Sequence, residues 1–160
     1  MLITIFEEDD NFGSIIQTNL MGVWHVTEVI ANRMKNHKIH CRHCSIDKVA
    51  FPYKKATAYI TSKRTVIHVS KSWVAELSNY KIKINSIVSG LFHTPRTDAK
   101  LGEDQPRQEF AEQIPLRFIA TPKDLDGALL LLASNARSSY ITGSCITVDG
   151  GKSFGTSEGS

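Results

Sequence analysis

The sequence predicts an α/β layer fold: a mostly parallel sheet of about three strands packed with long helices. Three observations predict it. Helical periodicities alternate with short β-branched runs along the 160 residues, as parallel strands require, because they are joined through crossover helices. One long helical segment is apolar on two sides, as a helix held between a sheet and a neighbouring helix must be. The last strand pattern, S-C-I-T-V-D-G-G, runs directly into a glycine pair that closes it.

The elements follow in order. Over residues 9–35 the side chains Ile16, Leu20, Val23, Thr27, Ile30 and Met34 recur at spacings of three and four, and Asp9 or Asp10 can cap the start. A strand is expected to end near Ser45. The second helix covers 58–79, with Ile60, Ile67 and Val74 on one stripe and Val66, Trp73 and Leu77 on the other. In K-I-K-I-N-S-I-V-S-G, Ile82, Ile84, Ile87 and Val88 mark a strand ending at Gly90. Residues 91–120 are rich in charge and turn formers and are expected to form a long mobile loop with one short helix at 108–113. In T-P-K-D, Thr121 is an N-cap, Pro122 takes the first helical position and Asp124 the third. The helix over 123–134 holds the leucine run, the strand at Cys145 follows, and the tail 152–160 reads as a loose end of a single domain over 1–160.

Composition narrows the function. A hydrophobic content of 41% and a charged content of 22% describe an ordinary globular chain. The net charge of +3 comes from scattered lysines and arginines, so no nucleic-acid partner is expected. No apolar run is long enough to cross a bilayer, and Met1 to Ile5 lacks the basic flank of a secretory leader. Three cysteines, an odd number, build no disulfide framework, and a cytoplasmic setting is expected. G-K-S at 151–153 is not a phosphate loop, because Ile146 stands where its first glycine would be needed.

The chemistry sits in A-Y-I-T-S-K, where Tyr59 precedes Lys63 by one helical turn, so both side chains project over one patch. A phenol with a pKa near about 10 is idle at neutral pH. An adjacent ammonium favours the phenolate and brings the proton within working range. Such a tyrosine can give a proton to a carbonyl oxygen or take one from an alcohol. Ser45, fourteen residues earlier, could hold the same oxygen by hydrogen bonding.

The succession N-L-M-G-V-W at 19–24, Ser45, Y-I-T-S-K at 59–63, I-N-S-I-V-S-G-L-F-H-T at 84–94 and Y-I-T-G-S-C-I-T-V-D-G-G at 140–151 resembles the short-chain dehydrogenase/reductase family. The resemblance implies an incomplete Rossmann-like, doubly wound fold and an NAD(P)-dependent oxidoreductase acting on a small-molecule alcohol or carbonyl. It assigns Tyr59 as general acid/base and Lys63 as the residue that binds the nicotinamide ribose and tunes Tyr59. Ser45 would orient the substrate oxygen, and Asn19 would hold a water in a proton relay behind Lys63. Gly90, Phe92 and Thr94 would touch the nicotinamide end of the cofactor, and the segment after Thr94 would cover the substrate. Helices 9–35 and 58–79 would build a homo-oligomer contact.

Three features depart from the family. No G-x-G-x-x-G or G-x-x-x-G-x-G occurs, so the chain is expected to be the C-terminal part of such a protein, without the cradle for the cofactor's phosphates and adenosine. In that state it could be inactive, or serve as a non-catalytic module pairing with a full-length relative. The stretch K-I-H-C-R-H-C-S is polar where a buried strand would be apolar, and one C-x-x-C beside His37, His40 and His43 falls short of a zinc site, so no metal is expected. Ser89 stands where the family carries proline before the glycine, a change the turn tolerates.

Overall fold

The computed structural model describes residues 11–37, 42–47, 57–101 and 104–155. The chain opens with helix α1 (Asn11–Ile16), a π-helical turn (Gln17–Met21) and helix α2 (Gly22–His37), which run on as one rod. Strand β1 (Arg42–Asp47) leads to the 22-residue helix α3 (Thr57–Ser78) and strand β2 (Lys83–Ser89). Helices α4 (Pro95–Leu101) and α5 (Asp104–Glu112) come next, then a 3-10 turn (Pro122–Leu125) continued by α6 (Asp126–Ala133). Strand β3 (Cys145–Val148) and a 3-10 turn (Lys152–Phe154) complete the described chain.

The sheet is parallel throughout, in the order β1-β2-β3. Ser45 pairs with Ser86, and Ile87 with Ile146. Five consecutive residues of β2, Ile84 to Val88, are buried, as in a central parallel strand covered on both faces. Two of those five are polar, and the Asn85 side chain is satisfied. The Asn85 side chain donates to the Ile141 carbonyl at 3.2 Å and accepts from the Ser144 amide at 3.0 Å, while the Ser86 amide donates to the Ser144 carbonyl at 2.8 Å. Asn85 thus ties the loop before β3 to the middle of the sheet, at a position where an unpaired amide would be costly. Ile82, Ile84, Ile87, Val66 and Leu132 are the largest of the fully buried apolar side chains among the described residues.

Helix α3 packs against β1 and β2, and its deepest line is not one of the two apolar stripes. It is Ala58, Ser62, Val66 and Ser70, spaced by four. Ile60, Ile67, Val74, Trp73 and Leu77 are only partly buried. Small side chains on that line let α1 and the π turn approach α3 closely.

Three expectations need correction. Residues 91–120 are not a long loop with one short helix but hold two helices, α4 and α5. The first begins where the Thr94 hydroxyl accepts from the Thr97 amide at 3.1 Å, with Pro95 in the first helical position. Residues 152–154 are not loose: they form a 3-10 turn, and the Lys152 ammonium donates to the Gln113 carbonyl at 3.0 Å. The helix expected over 123–134 starts as a 3-10 turn, with the Thr121 amide and hydroxyl both donating to the Asp124 carboxylate at 2.7 and 2.9 Å. No helix among the described residues is long and apolar enough to cross a membrane.

Candidate active site

In a parallel sheet every strand ends on the same side, and open α/β sheets gather ligands at that carboxyl edge. The first turns of α3 lie on that side, because α3 follows the end of β1 and runs back to the start of β2. Tyr59 and Lys63 occupy those first turns and are both half-buried. Gly90 and Phe92 follow the end of β2 on the same side.

Asn19 reaches this region from the other helical rod. Its side-chain amide donates to the Ser62 hydroxyl at 3.1 Å, and that hydroxyl donates to the Tyr59 carbonyl at 2.7 Å. Asn19 therefore docks on the turn that carries both Tyr59 and Lys63. It sits within the π turn, where the Gly22 amide bonds the Gln17 carbonyl five residues back. A π turn inserts one residue, widens the helix and turns its side chains, a distortion that recurs at functional sites. Ser62 is the site residue that hydrophobic periodicity could not find. Its signal is a small hydroxyl residue three after the tyrosine, on the face the helix buries.

Gly90 closes the end of β2. Its amide donates to the Val148 carbonyl at 2.8 Å, and a β-carbon there would stand 2.7 Å from the Asp149 Cα. Only glycine lets the ends of β2 and β3 come so near. Phe92 is buried and pairs in a parallel bridge with Ala120, and the His93 amide bonds the Ala120 carbonyl at 2.8 Å. The two ends of segment 92–120 are thus fastened together, making a flap that carries α4 and α5. Thr94 spends its hydroxyl on the cap of α4 and on Thr97 Oγ1 at 2.8 Å. Ser45 lies in β1 in register with Ser86, two residues before the strand ends; its side chain lies outside the described residues, as do those of His40, Cys41, His43 and Cys44. Among the described residues, no group of His, Cys, Asp and Glu gathers as metal ligands would.

The flap is seated by a second glycine turn. Asp149 accepts from the Gly151 amide at 2.9 Å and the Ser153 amide at 2.7 Å, which folds Gly150 and Gly151 into positive φ. A β-carbon on Gly150 would meet Ile114 at 2.6 Å, and one on Gly151 would meet Pro115 at 3.1 Å. The turn is filled by protein, so it offers no cradle for a phosphate. Gly13, Gly22 and Gly127 lie inside helices.

A family model described as enoyl-(acyl carrier protein) reductase matches residues 4–153. The 3-oxoacyl-[acyl-carrier-protein] reductase FabG of Thermotoga maritima is 35% identical over 156 residues, covering 94% of this chain and 60% of that protein. A short-chain type dehydrogenase/reductase from Mycobacterium marinum superposes with a TM-score of 0.82 at 28% identity, covering 96% of this chain and 61% of that one. A gluconate 5-dehydrogenase from Burkholderia cenocepacia J2315, solved with NADP and tartrate, superposes with a TM-score of 0.82 at 26% identity, covering 92% and 58%. The chain thus spans about three fifths of the length of these relatives.

Proposed function

Because the chain belongs to the short-chain dehydrogenase/reductase family, we propose that it carries the proton-transfer and substrate end of an NAD(P)-dependent oxidoreductase that interconverts an alcohol and a carbonyl. The observation that supports this most directly is the link from Asn19 through Ser62 to the turn bearing Tyr59 and Lys63. A nicotinamide cofactor, when bound, supplies or accepts the hydride. In the reductive direction Tyr59 gives its proton to the carbonyl oxygen. Lys63 stabilises the phenolate that this leaves and holds the cofactor ribose. Ser45 orients the substrate oxygen from β1, and Asn19 holds a water that returns a proton by way of Lys63. Gly90, Phe92 and Thr94 shape the wall against the nicotinamide, with α4 and α5 closing over the substrate. The NADP in the Burkholderia cenocepacia relative supports the cofactor class.

We further propose a homo-oligomer built through helices 9–35 and 58–79. Trp24, Val26, Val29 and Ile30 stand exposed on α2, and the Trp24 and Trp73 rings lie 5.1 Å apart across the two helices. The same face supports a second reading, a non-catalytic module that pairs with a full-length relative. One pair of measurements separates the two. Quenching of tryptophan fluorescence by micromolar NADPH, lost in Lys63→Ala, together with carbonyl reduction lost in Tyr59→Phe, is expected of the oxidoreductase. A stable dimer in sedimentation that binds no NADPH or NADH would refute it in favour of the module.

A further inference from the structure

We propose that Ser62 is a positioning residue for the proton relay: it takes the amide N–H of Asn19 and so leaves Asn19 Oδ1 as the atom that holds the relay water. This rests on the oxidoreductase reading and deepens it by fixing what Asn19 can offer to the site.

The hydrogen bonds have one possible direction. Ser62 Oγ lies 2.7 Å from the Tyr59 carbonyl, which only accepts, so the single hydroxyl proton is spent there. Toward Asn19, 3.1 Å away, the hydroxyl can then only accept, and the Asn19 group that faces it is Nδ2. The carboxamide is planar, so Oδ1 leaves the same carbon on the other side. Among the described residues nothing donates to that oxygen.

The bridge is particular to this turn. Other hydroxyls of α3 bond back into their own helix: Thr65 gives to the Thr61 carbonyl at 2.8 Å and Ser72 to the His68 carbonyl at 3.2 Å, each four residues back in an exposed bond. Ser62 is fully buried and reaches only three residues back, to the carbonyl of the tyrosine itself. Ser70 lies eight residues further along the same buried line, and its hydroxyl has no partner among the described residues. Burial on that line therefore does not produce the bridge by itself. Asn19 completes it, from within the π turn between Gln17 and Met21.

The consequence is chemical. Lys63 carries an ammonium, which offers only N–H donors. A water between Lys63 and an amide N–H would face donors on both sides. A water between Lys63 and Oδ1 accepts from one and donates to the other, and each bond strengthens its neighbour in a chain so ordered.

The test uses the whole chain. In protein labelled with 15N-asparagine, the Asn19 side-chain resonances are identified by their loss in Asn19→Asp. Ser62→Ala is expected to move the Asn19 Nδ2–H resonance upfield, as its bond is lost, and Ser70→Ala to leave it in place. In turnover of diacetyl, a small unhindered diketone, with NADPH or NADH, Ser62→Ala is expected to lower kcat roughly 5- to 10-fold, the value of one hydrogen bond, with KM nearly unchanged. Asn19→Ala is expected to lose at least as much, and Ser62→Ala added to it almost nothing more, because the serine acts through Asn19. A serine that merely supports the helix would add its full effect to that double variant. An Asn19 resonance unmoved by Ser62→Ala, a kcat that Ser62→Ala leaves unchanged, or a loss that persists in full in Asn19→Ala overturns the proposal. A shifted resonance in a chain that reduces no diacetyl supports Ser62 as the residue that holds Asn19 and counts against the oxidoreductase reading instead.

Discussion

The carboxyl edge of the sheet and the outer face of the α2–α3 pair are built on opposite terms. At the sheet edge the fit is internal. Gly90 lies against Asp149, Gly150 against Ile114, and Asn85 bonds to both Ile141 and Ser144. On the helical pair the apolar groups point outward: Trp24 is 42% exposed and Val29 57%. A groove of about 240 Å³ runs between these helices, lined by Trp24, Trp73, Tyr80 and Ile82 with Glu28 and Lys35 at its rim. One region has its neighbours within the chain; the other leaves large apolar side chains exposed, the surface on which the proposed homo-oligomer rests. Helix α3 belongs to both, burying Ser62 toward the site and showing Trp73 to the groove. Catalytic geometry and association would thus share one rod, yet substitutions on its two sides should separate them.

The largest expected effect lies at the sheet edge and touches function alone. Tyr59→Phe should lower kcat/KM for carbonyl reduction roughly a thousandfold, within the range for loss of a general acid. Circular dichroism and the urea midpoint should stay near wild type. Activity within threefold of wild type would remove Tyr59 from the mechanism and end the functional contrast between the two regions.

Next comes the internal fit itself. Gly90→Ala places a methyl 2.7 Å from the Asp149 Cα, and that obstacle is backbone, not the end of a flexible side chain. We expect a loss of about 3 kcal/mol, the upper part of the usual cost of overpacking. Urea unfolding measures it, and a change below about 1 kcal/mol would show that the β2 and β3 ends part easily.

On the helical face the same kind of measurement should respond only weakly, by about 1 kcal/mol through the lost Trp24–Trp73 contact, and another should respond more. Trp24→Ala should weaken self-association by about 2 kcal/mol, close to thirtyfold in dissociation constant, as for an aromatic anchor. Sedimentation at several concentrations reads this directly. If the monomer's unfolding changes and its association does not, Trp24 belongs to the core and the contrast fails.

These differences also explain what was legible in the sequence. The run Ile82, Ile84, Ile87, Val88 announced β2, since a central parallel strand must be apolar almost continuously. Thr121, Pro122 and Asp124 announced the turn before α6, because capping chemistry is local. Thr94 and Pro95 carry the same signal and mark the start of α4, yet the surrounding charge masks it. Helix α5 was harder to read. It was read only in part, as the short helix expected at 108–113: few of its side chains are apolar, and the glycine turn at 150–151 holds the chain beyond it, at Ile114 and Pro115. The π turn around Asn19 is a change of backbone register that side-chain spacing does not encode. Ser62 is small and polar, so no hydrophobic pattern points to it, although it joins Asn19 to the Tyr59 turn. The Tyr59–Lys63 pair was read from spacing because a helix alone places them together; the partners around them come from distant segments.

The smallest expected effect lies away from both regions and serves as their baseline. The Thr121 amide and hydroxyl donate to Asp124, and these bonds hold its carboxyl below the ordinary carboxylate pKa of about 4. A depressed folded-state pKa means that the unfolded chain takes up the proton first as pH falls. The stabilisation is therefore fully present above about pH 4 and disappears as pH drops through the lower folded value. Asp124→Asn should lower stability slightly at neutral pH, leave it unchanged in strong acid and flatten the acid limb between the two. The side chain is exposed, so salt should shrink the difference. Urea midpoints from neutral to strongly acidic pH, for wild type and variant in parallel, would show the two curves converging as pH falls. Curves that stayed parallel would mean that the Thr121–Asp124 cap is not formed in solution, and that the start of α6 is held by packing instead of by its local sequence.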